Sequence, residues 1–600
     1  MTTQITATYP MPRFGLAHFP SEAEVPETYA TRLRNRFINA AGGAEKRPGM
    51  TQLANTVPDQ VNLTNLHSLV GTDGTETLFA SGAGNIYRLS GATPIWSRVY
   101  TGGTSTAIWR SVQMGRRLIF FNGVDRNIYT ENGTTFSEQR AVIVRGEAGA
   151  AVCAVAIDDA DVTDWVNNTD TAVNDLVRNI TRNAYGRISA VATANVTHST
   201  IGSAGTGLGQ TAGNQLAGDR YEILDMVEMN IIPTDGEDDN VAIAGSGTST
   251  TDIRVSGVAF SATEIRAGDF VVNTTRSAVA MVSAIGNNLT VTSVAAQVAG
   301  DSLIFLKSAM PIATNGHVHY GRGYFIDVRD RRRVTVTGIN NSEDVTTDAG
   351  TIDSAAFRYA DQQPEADYAV DMASFQRFFA IAGRKNILLF SGTDPIADTS
   401  ANTVSFSPVS MFPQGVFSDD SLLSLGNDLV FVSLDGVQSV GQIYDATHLN
   451  RTNLSEPIKE LLRGKLQNAS ADQVIIWHYP RRSWLMLKVG DEVFNFNYSA
   501  YLGETGLTNV DQKTLRAPAG SWSVFDGKFA AQNAYFVRQN GDLVCCGPGG
   551  KVFTFDSADT WSDDGVAYKT EYASAWLTPS SPRKNVKMKQ GIYIKPILET

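Results

Sequence analysis

The sequence predicts a mainly β chain: a β-propeller of about six to seven blades, with an inserted α+β or small β-barrel domain and a C-terminal β platform. The first observation is a hairpin phrase, Phe79-Ala80-Ser81-Gly82-Ala83-Gly84-Asn85-Ile86-Tyr87. It returns about 42 residues later as Phe120-Phe121-Asn122-Gly123-Val124-Asp125-Arg126-Asn127-Ile128-Tyr129, a spacing typical of one propeller blade. The second is that further hairpins of the same kind recur at blade spacing in the C-terminal half. The third is composition. The 600 residues include 53 Gly and only 20 Pro, which suits many short strands joined by tight turns.

Residues 1–60 read as an N-terminal arm that ends in Gly42-Gly43-Ala44-Glu45-Lys46-Arg47-Pro48-Gly49. Within it, Thr31-Arg32-Leu33-Arg34-Asn35-Arg36-Phe37-Ile38 alternates Arg with other residues, as a strand with one charged face does. Such a strand is either a solvated edge or a surface that pairs with a neighbouring subunit. Arg32, Arg34, Arg36, Lys46 and Arg47 are the candidate interface residues here.

Residues 61–140 carry the first two hairpins. At 141–310 the repeat stops and Ala, Thr, Asn, Gly and Val dominate, so this stretch reads as an inserted domain. In Thr171–Ile180, the spacing of Val173, Leu176, Val177 and Ile180 predicts a short amphipathic helix. Ser203–Gly218 reads as a Gly/Thr/Gln-rich loop. Asp235, Glu237, Asp238 and Asp239 make an acidic turn without the carboxylate spacing of a calcium loop, a candidate channel or tip loop. From Ile265 to Phe305, strands bounded by Gly268-Asp269, Gly286-Asn287 and Gly300-Asp301 predict a small antiparallel barrel.

Residues 311–560 resume the repeat. Tyr324–Val328 leads through Arg329–Arg333 to Val334–Val336, and Phe378–Gly383 leads to Asn386–Phe390. Leu429–Gly436 leads to Val437–Val440, Trp484–Lys488 to Val493–Phe496, and Leu543–Gly547 to Val552–Phe555. One helix interrupts them near Leu454–Leu462, with Ser455 placed to cap it, Pro457 in its first turn and Ile458, Leu461 and Leu462 as its apolar stripe. Residues 561–600 read as strands of the C-terminal platform.

Bulk chemistry narrows the function. The formal charge of −12 disfavours a protein that grips nucleic-acid phosphates, although it suits a surface past which DNA slides. Cys153, Cys545 and Cys546 are too few for a disulfide scaffold and read as small apolar side chains. No apolar run approaches the length of a membrane span, and Met1–Thr6 lacks the start of a secretory signal. Phosphate-loop, His-Glu-x-x-His and Cys-x-x-Cys motifs are missing, so no cofactor and no metal is expected. His317 and His319 share a strand face and read as a surface pair rather than metal ligands. Arg331, Arg332 and Arg333 read as an exposed charged turn rather than a DNA contact. Ser562-Asp563-Asp564-Gly565 is a fragment of the turn repeated in propeller glycosidases and lacks its Trp, so an enzyme is not expected. The competing binding reading is a propeller that holds a receptor or glycan on Trp96, Trp109 and Trp522, positions where core packing is the commoner role.

Several phrases together resemble the nozzle proteins of short-tailed bacteriophages, also called tail tubular B or packaged-DNA stabilisation proteins. They are the arm with its Lys46-Arg47-Pro48-Gly49 turn, the first two hairpins, Pro457–Arg463, and Gln473–Leu485 with its His478-Tyr479-Pro480-Arg481 turn. Tyr498 and Trp522 then fall where that family closes a blade. The resemblance spans residues 30–140 and 320–597. It implies a virion tail protein, assembled in the host cytoplasm, that forms a sixfold ring below the portal and tail adaptor. Such a ring contacts tail fibre, spike or needle proteins, retains packaged DNA, and passes double-stranded DNA without tight binding. The 141–310 insertion would be a nozzle tip or a docking domain. Six copies would multiply the −12 charge around the bore. The basic run Arg583, Lys584, Lys587 and Lys589 could meet acidic loops of a neighbour in such a ring.

Overall fold

In the computed structural model the described residues are, save short breaks, 15–18, 29–139, 310–342, 356–359, 367–392, 406–440, 452–499, 520–556 and 561–574, with isolated residues and strand segments elsewhere, mainly between 142 and 308. Seven sheets of four strands form the body, and one of them is extended to six. Blade 1 is Asn65–Val70, Glu76–Gly82, Asn85–Ser90 and Ile95–Tyr100, and blade 2 is Arg110–Met114, Arg117–Phe121, Ile128–Thr130 and Ser137–Glu138. Blade 3 is Ala313–His319, Arg322–Asp327, Arg333–Val336 and Ala356–Tyr359. Blade 4 is Ala369–Phe375, Phe378–Gly383, Ile387–Ser391 and Ser407–Phe412. Blade 5 is Leu422–Ser424, Leu429–Ser433, Gly436–Ser439 and Thr452–Asn453. Blade 6 starts with Val474–Tyr479, Trp484–Val489, Glu492–Asn497 and Ser521–Phe525. Blade 7 takes Ala534–Val537, Leu543–Cys546 and Val552–Phe555, and its outer strand, Met50–Gln52, comes from the N-terminal arm.

The hairpins form because their turns suit a right-handed twist. Ala83 and Gly84 have φ of 50° and 76°, the pairing a two-residue hairpin turn requires. A Cβ on Gly84 would stand 2.0 Å from the Gly103 carbonyl oxygen, so only Gly fits there. Alternation then gives each blade two apolar faces, and each face meets the next blade. Leu69, Phe79 and Ile86 of blade 1 pack with Trp109, Leu118 and Phe120 at blade 2. Met114, Ile119 and Phe121 pack with Ala313 and Phe325 of blade 3. Leu66, Leu78 and Tyr87 pack with Ala534, Val544, Cys546 and Val552 of blade 7. The first strands of blades 1 to 7 contact one another in turn, and that of blade 7 returns to blade 1. The ring is closed, with seven blades, and it is a β-propeller.

The insertion leaves after blade 2 and returns at blade 3. Strands Val142–Ala148, Ala154–Ile157, Leu176–Asn179, Ala184–Ala192, Asn195–Thr200 and Arg220–Leu224 form a closed barrel. The helix expected over 171–180 is therefore corrected for its second half: Leu176–Asn179 pairs on both sides as a strand. Val and Leu at those spacings satisfy either period, and the buried Leu176 packs on Phe270, Val272 and Leu306 of the second unit. That unit is an antiparallel sheet containing Phe270–Asn273, Ala278–Ile285, Leu289–Thr292 and Ser302–Ser308 around Val271, Val282, Leu303 and Phe305. A bridge between Gly245 and Val255 links its Ile243–Ala244 branch to its Asp252–Ile253 edge. Arg329 Nη2 reaches Asp269 Oδ1 at 2.6 Å, both side chains nearly fully buried, and joins this unit to blade 3.

Helix α1 spans Lys459–Asn468 after a 3₁₀ turn at Glu456–Ile458. Ile458 and Leu462 of the predicted stripe enter the core between blades 5 and 6 together with Leu466, and Leu461 packs against it only partly buried. Ser455 does not cap it. Its hydroxyl instead accepts from the Val437 amide at 2.9 Å and donates to Asn453 Oδ1, serving blade 5. Among the described residues no helix is long and apolar enough to cross a membrane.

Early and late segments of the described residues meet at blades 6 and 7. Ala30–Arg34 lies parallel to Ser521–Phe525 and antiparallel to Glu571–Ser574, which extends blade 6 to six strands. Arg47, fully buried, sends Nη2 to Asp563 Oδ2 at 2.6 Å and Nη1 to Asp563 Oδ1 at 2.9 Å. Its Nε donates to Asn35 Oδ1 at 2.8 Å, and its guanidinium lies 3.8 Å from the centre of the Tyr568 ring. Asn35, at φ 53°, also binds Asp526 and the Lys569 carbonyl. Removing one charge from such a pair leaves the other buried and unpaired, at a cost of about 3–5 kcal/mol. Arg47→Met and Asp563→Asn are each expected to lose about that much in denaturant unfolding. The double variant Arg47→Met/Asp563→Leu is expected to regain a substantial part, and additive losses would show that the pair is not the coupling.

Candidate functional site

The first strand of each blade faces the propeller axis, and there the chain places polar side chains. They enclose a cavity of about 580 Å³ lined by residues of blades 1 to 7, among them His67, Arg110, Asn315, Asp371, Asp420 and Lys488. Arg110 of blade 2 reaches across the ring to the segment that opens blade 5. Its Nη2 stands 2.9 Å from Asp420 Oδ2, its Nε 3.3 Å from Oδ1, and Asp419 lies 3.7 Å away. Burial works against the Arg110 charge, but Asp420 beside it prevails and raises the guanidinium pKa. The Asp420 carbonyl in turn accepts from the Ile476 amide of blade 6 at 2.9 Å.

Asp371 of blade 4 is the third carboxylate of this group. Its Oδ1 accepts from Asn315 Nδ2 and the Met372 amide, each at 2.8 Å, and its Oδ2 from the Leu422 amide at 3.1 Å. Burial, and then the Asp420 charge, push its pKa well above the ordinary carboxylate value, while the Met372 and Asn315 donors oppose that rise. Asn315 also donates to the Asp419 carbonyl at 3.1 Å, so blades 2 to 6 are tied together at the axis. Two histidines, His67 and His317, complete the polar lining, and His319 packs beside the second. His67 sits between Ser111 Oγ at 2.8 Å and Ser81 Oγ at 2.9 Å, and burial lowers its pKa to about 3. His317 and His319 both reach Ser374 Oγ, at 2.9 and 2.8 Å, and burial brings each to about 4. The Ser374 amide donates to His317 Nε2 at 3.1 Å, which fixes that nitrogen as an acceptor. The expected surface pair is thus corrected to a packed pair held by one serine. Among the described residues no group of three or more His, Cys, Asp or Glu side chains is arranged to hold a metal ion.

The residues singled out from the sequence lie elsewhere. Arg34 pairs with Asp526 at 2.7 Å and Glu492 at 3.0 Å, and Arg47 is buried in a clasp with Asp563, so Arg47 is unavailable to a neighbouring subunit. Arg36 is half-buried, its Nε shielded without a partner. Arg32 and Lys46 are exposed, Lys46 lying 5.5 Å from the Tyr568 ring. Arg332 pairs with Asp330 at 3.0 Å within its own turn. Asp235, Glu237, Asp238, Asp239, Arg583, Lys584, Lys587 and Lys589 fall outside the described residues. Trp96, Trp109 and Trp522 are all buried, and Trp522 Nε1 donates to the Leu454 carbonyl at 2.8 Å. They form no exposed platform for a sugar ring. Tyr498 is exposed, its hydroxyl 2.7 Å from His478 Nε2. Cys545 and Cys546 are buried and free, and burial pushes both thiols up, away from reactivity.

No protein-family model matches the chain, and no curated protein matches it. Among solved structures it is similar to the WD40 β-propeller domain of Doa1, at 10% identity over 85% of this chain and 97% of that one, with a TM-score of 0.32. It is also similar to the Neurospora crassa Pan2 WD40 domain, at 9% identity over 86% of this chain and 97% of that one, with a TM-score of 0.30. A third is Kluyveromyces lactis Hsv2, at 8% identity over 78% and 98% of the two chains, with a TM-score of 0.25.

The axial histidines set a pH dependence. Their folded pKa values, about 3 for His67 and about 4 for His317 and His319, lie below the unfolded 6.5, so the unfolded chain binds more protons within that window. Stability is expected to fall as pH drops from 6.5 toward 4, by up to about 1.4 kcal/mol per pH unit for each histidine. Asp371, raised when folded, acts oppositely: its cost at neutral pH is relieved as pH falls through its folded pKa. Thermal melts across this range should show His67→Gln with a flatter acid slope than the parent; equal slopes would remove His67 from the account.

Proposed function

We propose that this propeller protein is a structural subunit of a virus particle, the tail nozzle of a short-tailed bacteriophage. In this reading six copies form a ring below the portal and adaptor, retain packaged DNA and provide the conduit for its ejection. The observation that carries it is the axial Arg110–Asp420 pair with its bonded surroundings, which bridges the middle of each propeller from blade 2 to blade 5. A body crossed by charge pairs at its own centre serves as a wall block, and the passage for DNA then lies between copies. The order of the resembling phrases and the −12 charge support the same reading. The role calls for no cofactor and no catalytic step.

A closed ring of identical subunits needs two different complementary surfaces on each. The clasp uses Arg34 and Arg47 internally and leaves Arg32 and Lys46 at the surface, where they suit the acidic side of a neighbour.

Negative-stain electron microscopy of the purified chain, with and without its tail adaptor, is expected to show sixfold rings with a central channel. A persistent monomer or trimer that binds host-surface glycans would overturn the reading in favour of a receptor-binding propeller. Arg32→Glu/Lys46→Glu is expected to weaken ring assembly about tenfold or more in sedimentation, with a melting temperature within about 2 °C of the parent. Unaltered assembly would remove this face from the ring contact.

A further inference from the structure

The outer edge of blade 7 carries a hairpin turn that the fold holds firmly and leaves apolar on the outside. Asp563 and Val566 exchange backbone bonds at 2.8 and 3.1 Å around Asp564-Gly565, whose φ values of 54° and 78° suit a two-residue hairpin. The turn is pinned from behind. Asp563 holds both Nη groups of Arg47, the Ser562 carbonyl accepts from the Met50 amide at 3.0 Å, and the Asp564 amide donates to the Met50 carbonyl at 2.7 Å. Its two limbs carry Trp561, 56% exposed, and Val566, 60% exposed. Among the described residues the three most exposed large apolar side chains are Val566, Leu434 and Trp561, so two of the three share this one turn. Trp96, Trp109, Trp477, Trp484 and Trp522 are by contrast buried. Among the described residues no hydrogen bond or ring contact engages the Trp561 side chain. Basic groups border the turn. Lys46 is exposed beside the Tyr568 ring, while its neighbour Glu45 is bonded to Asn39. Lys528 and Lys551 share the single carboxylate of Asp564, at 2.7 and 3.4 Å, which leaves one positive charge over.

An apolar centre inside a charged rim is the anatomy of a protein interface, and Trp is among the residues most enriched at the anchors that dominate binding. Exposed charges such as Arg32 and Lys46 contribute little by themselves, so a contact that includes them needs such a centre. A pinned turn presents its ring at small cost in conformational entropy. We infer that Trp561 and Val566 form the apolar centre of the contact between copies, seated on a second copy of this chain. The rim is positive and the chain carries −12, so the acidic side of another copy complements it. Two such turns brought together by a two-fold axis would set like charges against each other, so the receiving surface is a different one, as a closed ring requires. The contact presupposes the ring of the nozzle reading.

Benzylation of indole rings, read by mass spectrometry on the full-length protein, compares the chain diluted below its assembly threshold with assembled rings. Trp561 is expected to react several-fold more slowly in the ring. Trp561→Ala is expected to weaken assembly about tenfold or more in sedimentation velocity, with a melting temperature within about 2 °C of the parent, while Trp561→Phe keeps most of it. Rings in which Trp561 reacts at the monomer rate, or undiminished assembly of Trp561→Ala, would overturn the inference and leave the nozzle reading standing. Absence of rings at every concentration would overturn both. Protection of Trp561 by the tail adaptor or by a host-surface glycan, with none between copies, would overturn the choice of a second copy as the partner.

Discussion

Closure of the ring is the constraint on which the rest of this structure depends. Each blade has two apolar faces, and neither is covered until a neighbour stands on both sides. Five of the joints form between consecutive stretches of chain, and a sixth, between blades 2 and 3, forms across the insertion. The seventh requires Met50–Gln52 to complete the sheet of Val552–Phe555, and it is held by Arg47 and Asp563, which are 516 residues apart. The desolvation of that pair is offset by a bidentate geometry, by Asn35 Oδ1 on the guanidinium Nε, and by the Tyr568 ring against its face. Asn35 accepts a left-handed backbone to do this, at a position where Asn tolerates it better than most residues.

The axis follows a different logic. Apolar cores lie between blades, while the inner strands direct His67, Arg110, Asn315 and Asp371 toward the middle. There the chain trades packing for directional bonds: a carboxylate with three N–H donors, a guanidinium forked on Asp420, a serine shared by two histidines. Such networks fix one arrangement of the blades, because each bond fails if a neighbouring blade shifts.

The hairpins were legible in the sequence because both of their signals are local. Period-two alternation and turn residues such as Ala83-Gly84 sit within a few positions of one another. The clasp was not legible, since nothing near Arg47 points to Asp563. Arg47 therefore read as an interface residue, and Asp563 as part of an incomplete enzyme motif. The histidine pair looked exposed because Val318 between them gives no hint that Ser374 lies against both. Thr171–Ile180 misled for another reason: Val and Leu at mixed spacings fit a strand as well as a helix. Of the axial cavity, one trace was readable in advance, the charged Lys488 within the apolar run Trp484–Val489.

The way blade 7 is built also sets an order of events during synthesis. The strand Met50–Gln52 is made long before its partner at Val552–Phe555, with six blades between them in the chain. Blades 1 to 6 must therefore stand as an open arc, with apolar faces bare at both ends, until Val552–Phe555 has been made. Loss of either Met50–Gln52 or Val552–Phe555 would leave the arc open at this seam. The extra domain between blades 2 and 3 sits far from that seam, at a joint made early, so a large addition there leaves the final step of closure untouched.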